Sequence, residues 1–447
     1  MDWVTLGDRP DERLCQARNT YKVKLVPGHT LPTMEVLRAK AEEMLQQKRE
    51  DAFYVFDLGD VVEKYEKWLR LIPRVEPFYA VKCNPSPLVV KLLAHLGAGF
   101  DCASQKEIDL VLAMCVAPSR IVFANPCKQN SFIHFANSKG VEMMSFDNEV
   151  ELQKIKEAFP RSRLLLRIVP KSGFKHHREI GNKYGCHLED VPHLLLKAQQ
   201  LQLNVIGISF NVGSGVLEPE AYSAAITMAA KAFDMAKELG FSFHLLDIGG
   251  GFLGCSGEEE HFERTAEVVN EALQKYFPPE RNIRLIAEPG TYFVASAFTL
   301  AVNVIGKRLE SRDTPDQQNS MVESCHNTFR YFLNDGVFGS FLMFALLRTI
   351  KPTVEPLYAH TNPKKYKCSL WGPTCAGIDL ILDQVDLPEM KVGDYLCVRN
   401  MGYYTISLYC GFNGMLLPEV FPYCAEDIWL RVFPEKKIPI AQAVSVN

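Results

Sequence analysis

The sequence predicts an α/β protein in two parts, a closed (β/α)8 TIM barrel followed by a mostly β domain. Three observations lead there. The middle of the chain alternates short β-rich runs with stretches carrying apolar residues at helical spacing. From about Ala297 the pattern changes to β-branched and aromatic runs separated by Pro, Gly and Asp/Asn turns. The length, 447 residues, is more than one core usually serves.

Eight runs read as barrel strands: Pro77–Lys82, Gly99–Cys102, Ile121–Ala124, Met143–Phe146, Arg163–Ile168, Val205–Phe210, His244–Ile248 and Arg284–Glu288. Helical stretches between them include Ser86–His95, Ser104–Met114, Glu149–Ala158, Pro219–Leu239 and Glu259–Tyr276. Strand–helix alternation implies a parallel sheet. An open doubly wound sheet is the alternative, but its G-x-G-x-x-G turn after the first strand is missing. Residues 58–296 are therefore assigned to the barrel and 297–447 to the β domain. Residues 1–57 join the latter, because Ala52–Asp57 reads as a strand. Within the β domain the expected strands are Phe298–Ile305, Tyr331–Leu333, Lys367–Trp371, Asp394–Val398 and Thr405–Tyr409. The polar stretch Ser311–Ser320 reads as a mobile loop.

Composition narrows the function. With 49 basic and 53 acidic residues the net charge is -4, so there is no basic excess to neutralise a phosphate backbone, and nucleic acid is not an expected partner. The 13 cysteines are scattered, with no C-x-x-C pair to hold a metal or run redox chemistry. The longest apolar stretch, Tyr292–Gly306, is too short to cross a bilayer. The N-terminus lacks the apolar core of a secretory signal, so a cytoplasmic protein is expected.

In such a barrel the active site sits at the C-terminal ends of the strands. Lys82 closes the first run, in Phe78-Tyr79-Ala80-Val81-Lys82. Poor solvation there would lower its pKa and ready the amine for Schiff-base formation. The other reading is a lysine that extends past the barrel mouth into solvent. Gly249, Gly250 and Gly251 follow the seventh run and let backbone N–H groups approach an anion, or else form a flexible turn. Phosphate sites in barrels favour the loops after strands seven and eight. Ser214, in Asn211-Val212-Gly213-Ser214-Gly215, could add a hydroxyl. Glu288 ends the eighth run, where a buried carboxylate needs a cationic partner such as a protonated pyridine.

These residues sit in longer motifs: PFYAVKCN at 77–84, GFDCAS at 99–104, FANPCKQ at 123–129, LDIGGGF at 246–252, AEPG at 287–290, NDGVFGSF at 334–341, WGPTC at 371–375 and FNG at 412–414. With them the chain resembles the eukaryotic ornithine decarboxylase family, over about residues 20–430. The resemblance implies an alanine-racemase-like barrel plus β domain, pyridoxal 5'-phosphate as cofactor, and a head-to-tail homodimer with shared active sites. It implies that Lys82 holds the cofactor, with Asp101, Glu107 and Arg167 around it. Ser214, Gly249, Gly250, Gly251, Gly290 and Tyr404 correspond to cofactor contacts, and Glu288 to the partner of the pyridine nitrogen. Cys375 corresponds to the cysteine that reaches a second subunit's site and helps reprotonate the substrate carbon. Lys183 with Asp379, and Asp147 with Arg308, fall where the family forms ion pairs between subunits.

The departures from the family bear on the substrate. Leu347 and Ala376 stand where the family grips a distal ammonium with aspartates, and Phe338 replaces a tyrosine. An ammonium delivered there would be buried without a counter-charge. The expected substrate is an apolar aliphatic amino acid, leucine first, as in the leucine-decarboxylating branch of the family. The alternative is an inactive paralogue under relaxed selection. Asn211 replaces a histidine that stacks on the pyridine, and Thr291 replaces a phosphate-clamping arginine, so weaker cofactor binding is expected. The family also holds inactive members that bind antizyme. Here the corresponding segment, about 130–154, has His134 in place of a lysine while Lys154 remains, which makes antizyme binding doubtful.

Overall fold

The computed structural model describes residues 21–27, 33–170, 173–178, 183–310, 328–360, 362 and 364–433. Eight parallel strands close a barrel: Val75–Ala80, Gly99–Cys102, Ile121–Phe123, Met143–Phe146, Arg163–Ile168, Asn204–Phe210, Leu245–Asp247 and Arg284–Ala287. All eight runs read from sequence are there, and the open-sheet alternative is excluded. The barrel interior is packed with Phe78, Val122, Met143, Leu165, Ile206, Leu245 and Ile286, all nearly inaccessible to solvent. Gly99 is a packing requirement: a Cβ on it would fall 2.7 Å from the Phe78 ring.

Helices wrap the barrel, and their starts are written locally. Ser104 caps the Gln105–Ala113 helix: its hydroxyl accepts from Glu107 N–H at 3.3 Å, and the Glu107 carboxylate reaches back to accept from Ala103 N–H at 2.6 Å. Asn148 caps the Glu149–Ala158 helix in the same way, accepting from Glu151 N–H at 2.9 Å. Two further barrel helices, Asn130–Lys139 and Val191–Gln200, escaped the sequence reading.

The second sheet is organised by one long strand, Phe298–Glu310. It pairs antiparallel with Phe53–Asp57, Tyr395–Val398 and Thr328–Leu333. Phe53–Asp57 in turn pairs parallel with Glu419–Ala425 near the other end of the chain. The helix Thr33–Gln46 covers this region, burying Leu37, Ala41 and Met44 against Phe53, Val55 and Tyr395. Asp57 ties the sheet to the barrel: it caps the Leu58–Leu71 helix through Gly59 N–H at 2.8 Å and accepts from the Tyr423 hydroxyl at 2.9 Å.

Two expectations are corrected. Thr405–Tyr409 is not a strand; Ile406–Leu408 is a short 3-10 turn. The Thr405 hydroxyl bonds back to Met401 O at 2.6 Å and Ser407 to Cys83 O at 3.2 Å, which curls the chain over the barrel mouth. The first strand ends at Ala80 rather than Lys82, because Val81–Cys83 forms a 3-10 turn. The loop expected at Ser311–Ser320 lies outside the described residues.

Candidate active site

The turn after the first strand projects Lys82 over the mouth of the barrel, where its ammonium pairs with Asp101 from the second strand. The pKa expected from sequence is reversed. Burial pushes the amine down, but Asp101, Glu288 and Tyr404 outweigh it and hold the ammonium well above its ordinary value. A strand-end position alone could not reveal how many anions would converge there.

Three carboxyls form the floor. Asp101 and Asp247 are each 1% exposed and Glu288 is 7% exposed. Asp247 closes the seventh strand and accepts from Gly249 N–H at 2.9 Å. Burial pushes its carboxyl up to about 6. Glu288 follows the eighth strand, and its N–H donates to Gly249 O at 2.7 Å. Burial, then the charges of Asp101 and Asp247, raise its carboxyl well above the usual range, against the pull of Lys82 and Arg167. Arg167, on the fifth strand, also lies 5.7 Å from the Tyr184 ring centre. Asp247 was part of a motif quoted from sequence but drew no role; its signal was its place at a strand's C-terminal end, directly before the glycines. Glu107 is engaged in its helix cap rather than with Lys82, and burial raises its carboxyl too.

The glycine loop is closed tightly on its neighbours. A Cβ at Gly249 would fall 2.2 Å from Phe210 O, at Gly250 2.7 Å from Glu288 O, and at Gly251 2.7 Å from Gly213 O. Asn211 sits in this contact and accepts from Gly213 N–H at 3.1 Å. Gly290 packs on Cys83 and starts the short helix Thr291–Val294. Tyr404 holds a left-handed backbone, φ +51°, and donates its N–H to Cys83 O at 2.9 Å. A non-glycine residue in that conformation carries strain, which is typical of functional positions.

A cleft that Tyr404 shares with this floor is lined by Ser214, Thr291 and Tyr404 and by the apolar Met343, Leu347 and Ile350. Leu347 is thus brought to the same cleft as the hydroxyl donors. Phe338, Cys375 and Ala376 are not. Phe338 and Thr374 line a separate cleft of the β domain. Phe338 packs on Phe412 at 4.7 Å, exposed Cys375 donates its N–H to Asn413 at 3.1 Å, and Ala376 donates to Thr374 at 3.4 Å. The Asp379 carboxylate is already engaged within the chain, by Val337 N–H at 2.7 Å and the Thr374 hydroxyl at 2.6 Å. Asp147 accepts from Gly185 N–H at 2.7 Å.

Residues 58–295 match the family described as pyridoxal-dependent decarboxylase, pyridoxal binding domain. The chain belongs to the pyridoxal-dependent decarboxylase family. Among similar proteins, ornithine decarboxylase of Mus musculus is 45% identical over 395 residues, covering 88% of this chain and 85% of its own length. Antizyme inhibitor 2 of Xenopus laevis is 49% identical over 393 residues, with 87% and 85% covered. Among solved structures, the arginine decarboxylase of Paramecium bursaria Chlorella virus, with agmatine bound, superposes with a TM-score of 0.79 at 33% identity. That likeness covers 87% of this chain and all (100%) of the viral one. The chain is an amino-acid decarboxylase of the ornithine decarboxylase family, and pyridoxal phosphate is its cofactor.

The residues present fit that cofactor. Glu288 is a buried carboxyl that a cationic ring nitrogen would relieve. Buried Asp101 Oδ1 has no hydrogen-bond partner, so the floor retains an acceptor for an incoming group. No helix among the described residues is long and apolar enough to cross a membrane.

Proposed function

We propose that this decarboxylase acts on an apolar aliphatic L-amino acid, with L-leucine the leading substrate, releasing isopentylamine and CO2. The observation that carries the reading is Leu347 beside Met343 and Ile350 in the cleft that Ser214, Thr291 and Tyr404 also line. A distal ammonium placed against that hydrocarbon would lose its hydration and gain no counter-charge. An aliphatic side chain there is worth about 25 cal/mol for each Å² it buries.

Bound at this mouth, pyridoxal phosphate supplies the electron sink that allows the bond from Cα to the carboxylate to break. Lys82 is the residue to hold it, and Glu288 to keep a proton on its ring nitrogen. The glycine loop, Ser214, Gly290, Thr291 and Tyr404 would orient its phosphate end. Cys375 of a second copy would return a proton to Cα, which requires the homodimer with shared sites that the exposed Cys375 suits. The described cysteines are all free thiols, which suits a cytoplasmic setting.

The test is direct. Purified protein with cofactor, offered leucine, isoleucine, valine, methionine, ornithine, lysine and arginine, should release amine from the aliphatic substrates. Amine from ornithine alone, or from none, overturns the reading.

A second reading is favoured by the similarity to antizyme inhibitor 2. A chain of this family could bind antizyme whatever its own turnover. Lys154 in the relevant segment is held by Glu151 at 2.6 Å. Co-purification of antizyme with the full chain would support this reading, and its absence at micromolar concentrations would dismiss it.

A further inference from the structure

Ser214, Thr291 and Tyr404 bring three hydroxyls to one cleft, and all three are neutral. Burial raises the Tyr404 hydroxyl well above its ordinary value, so it remains a protonated donor. A phosphate monoester near neutral pH carries a charge of roughly -1.5 to -2. Charged donors bind such a group about twice as strongly as neutral ones. Among the described residues lining the cleft, His177 alone has a side chain able to become a cation.

We propose that His177 is a binding residue for the cofactor's phosphate, donating a ring N–H beside the three hydroxyls.

The local structure is shaped for it. His176–Arg178 pairs antiparallel with Ser214–Val216; Ser214 stands opposite Arg178 and Val216 opposite His176, so His177 faces Gly215. A Cβ at Gly215 would fall 2.6 Å from His177 Nδ1. Gly215 also has φ +65°, so both the space and the backbone conformation demand glycine. The imidazole can therefore lie against the backbone next to Ser214. Val216 N–H donates to Gly251 O at 3.0 Å, which fixes this hairpin to the glycine loop after the seventh strand. From the other side the Thr349 hydroxyl reaches His177 O at 3.4 Å, linking the hairpin to the segment that carries Leu347.

No negatively charged side chain lines the cleft beside the ring among the described residues. Burial pushes the Cys255 thiol up to about 12 and raises the Tyr403 hydroxyl, so both face the cleft uncharged. Arg178, next along the strand, is exposed and adds positive potential toward Tyr404. The inference concerns the cofactor alone and stands whichever amino acid is decarboxylated.

The experiment compares pyridoxal phosphate with pyridoxal, which has the same ring and aldehyde and no phosphate. The full-length chain is stripped of cofactor and titrated with each, following the cofactor's absorbance. His177→Gln is expected to weaken pyridoxal phosphate about tenfold and to change pyridoxal by less than about twofold. His177→Arg, which supplies N–H donors and a cation, is expected to retain phosphate-dependent affinity. In the His177→Gln background, Thr291→Arg is expected to recover it by placing a cation on the same cleft. Equal loss of both ligands, or loss of neither, overturns the proposal. So does a His177→Arg protein as weak as His177→Gln at an unchanged melting temperature.

Discussion

The floor of the barrel mouth, where Lys82 meets Asp101 and Glu288 and Asp247 lies beside them, is crowded with charge, whereas the wall made by Met343, Leu347 and Ile350 offers hydrocarbon. The floor is built from strand ends of the barrel, and the wall from the short helix Leu342–Leu347 of the β domain and the turn after it. Charge on the floor is expensive to bury and persists only because each group faces an opposite charge or a hydrogen-bond donor. The wall's side chains are hydrocarbon and carry no charge, so a substitution there is expected to change what the cleft accepts without disturbing the floor. On the proposed function, the chemistry and the choice of substrate would be held by separate parts of the fold.

The contrast can be broken first at the floor. Lys82→Ala is expected to lower decarboxylation by about a thousandfold or more, in keeping with the loss of a covalent catalyst. Borohydride reduction should then no longer fix the cofactor to the chain, and retained fixation would place the attachment elsewhere. The next largest effect is expected at the wall. Leu347→Asp, combined with Ala376→Asp to supply the second carboxylate from the other copy of a shared site, should move the preference from leucine toward ornithine by about a hundredfold or more, measured as the ratio of kcat/KM values. An unchanged ratio would remove Leu347 from the substrate contacts.

A third test separates floor from wall by pH. Burial raises the Asp247 carboxyl to about 6, so the folded chain binds its proton more tightly than the unfolded chain does. The cost of ionising it is absent below about pH 4, grows through the interval, and is complete above about pH 6. Cofactor-free protein should therefore lose stability as pH rises from 4 to 6, and Asp247→Asn should flatten that slope by up to about 3 kcal/mol. Leu347→Ala should leave the slope as it is. The smallest expected effect is at Cys375. Cys375→Ala should reduce turnover about a hundredfold, the low end for loss of one proton donor, with little change in KM. Mixing it with Lys82→Ala should restore activity if one copy supplies the lysine and the other the thiol, and no recovery would argue against shared sites.

The barrel was legible because each strand is a short apolar run bounded by helical spacing, and strand direction then fixes which end carries the site. Lys82, Glu288 and the three glycines were found by that rule, since each lies just beyond a strand. Thr405–Tyr409 misled because its β-rich composition matches a strand, while hydrogen bonds to Met401 and Cys83 bend it into a turn. His177 carried no signal of its own: it lies in a three-residue strand, His176–Arg178, and only pairing with Ser214–Val216 brings it to the cleft.

Local pattern and motif thus determined the two-part fold, the strand-end positions of Lys82 and Glu288, and the family's cofactor. The tertiary structure decided the protonation of Lys82, the raised carboxyls of Asp247 and Glu288, and the meeting of Leu347 with Ser214 and Tyr404. Periodicity reports which face of an element is buried. A charge's environment is set by groups far away in sequence, and only the closed barrel and its docked sheet bring them within reach.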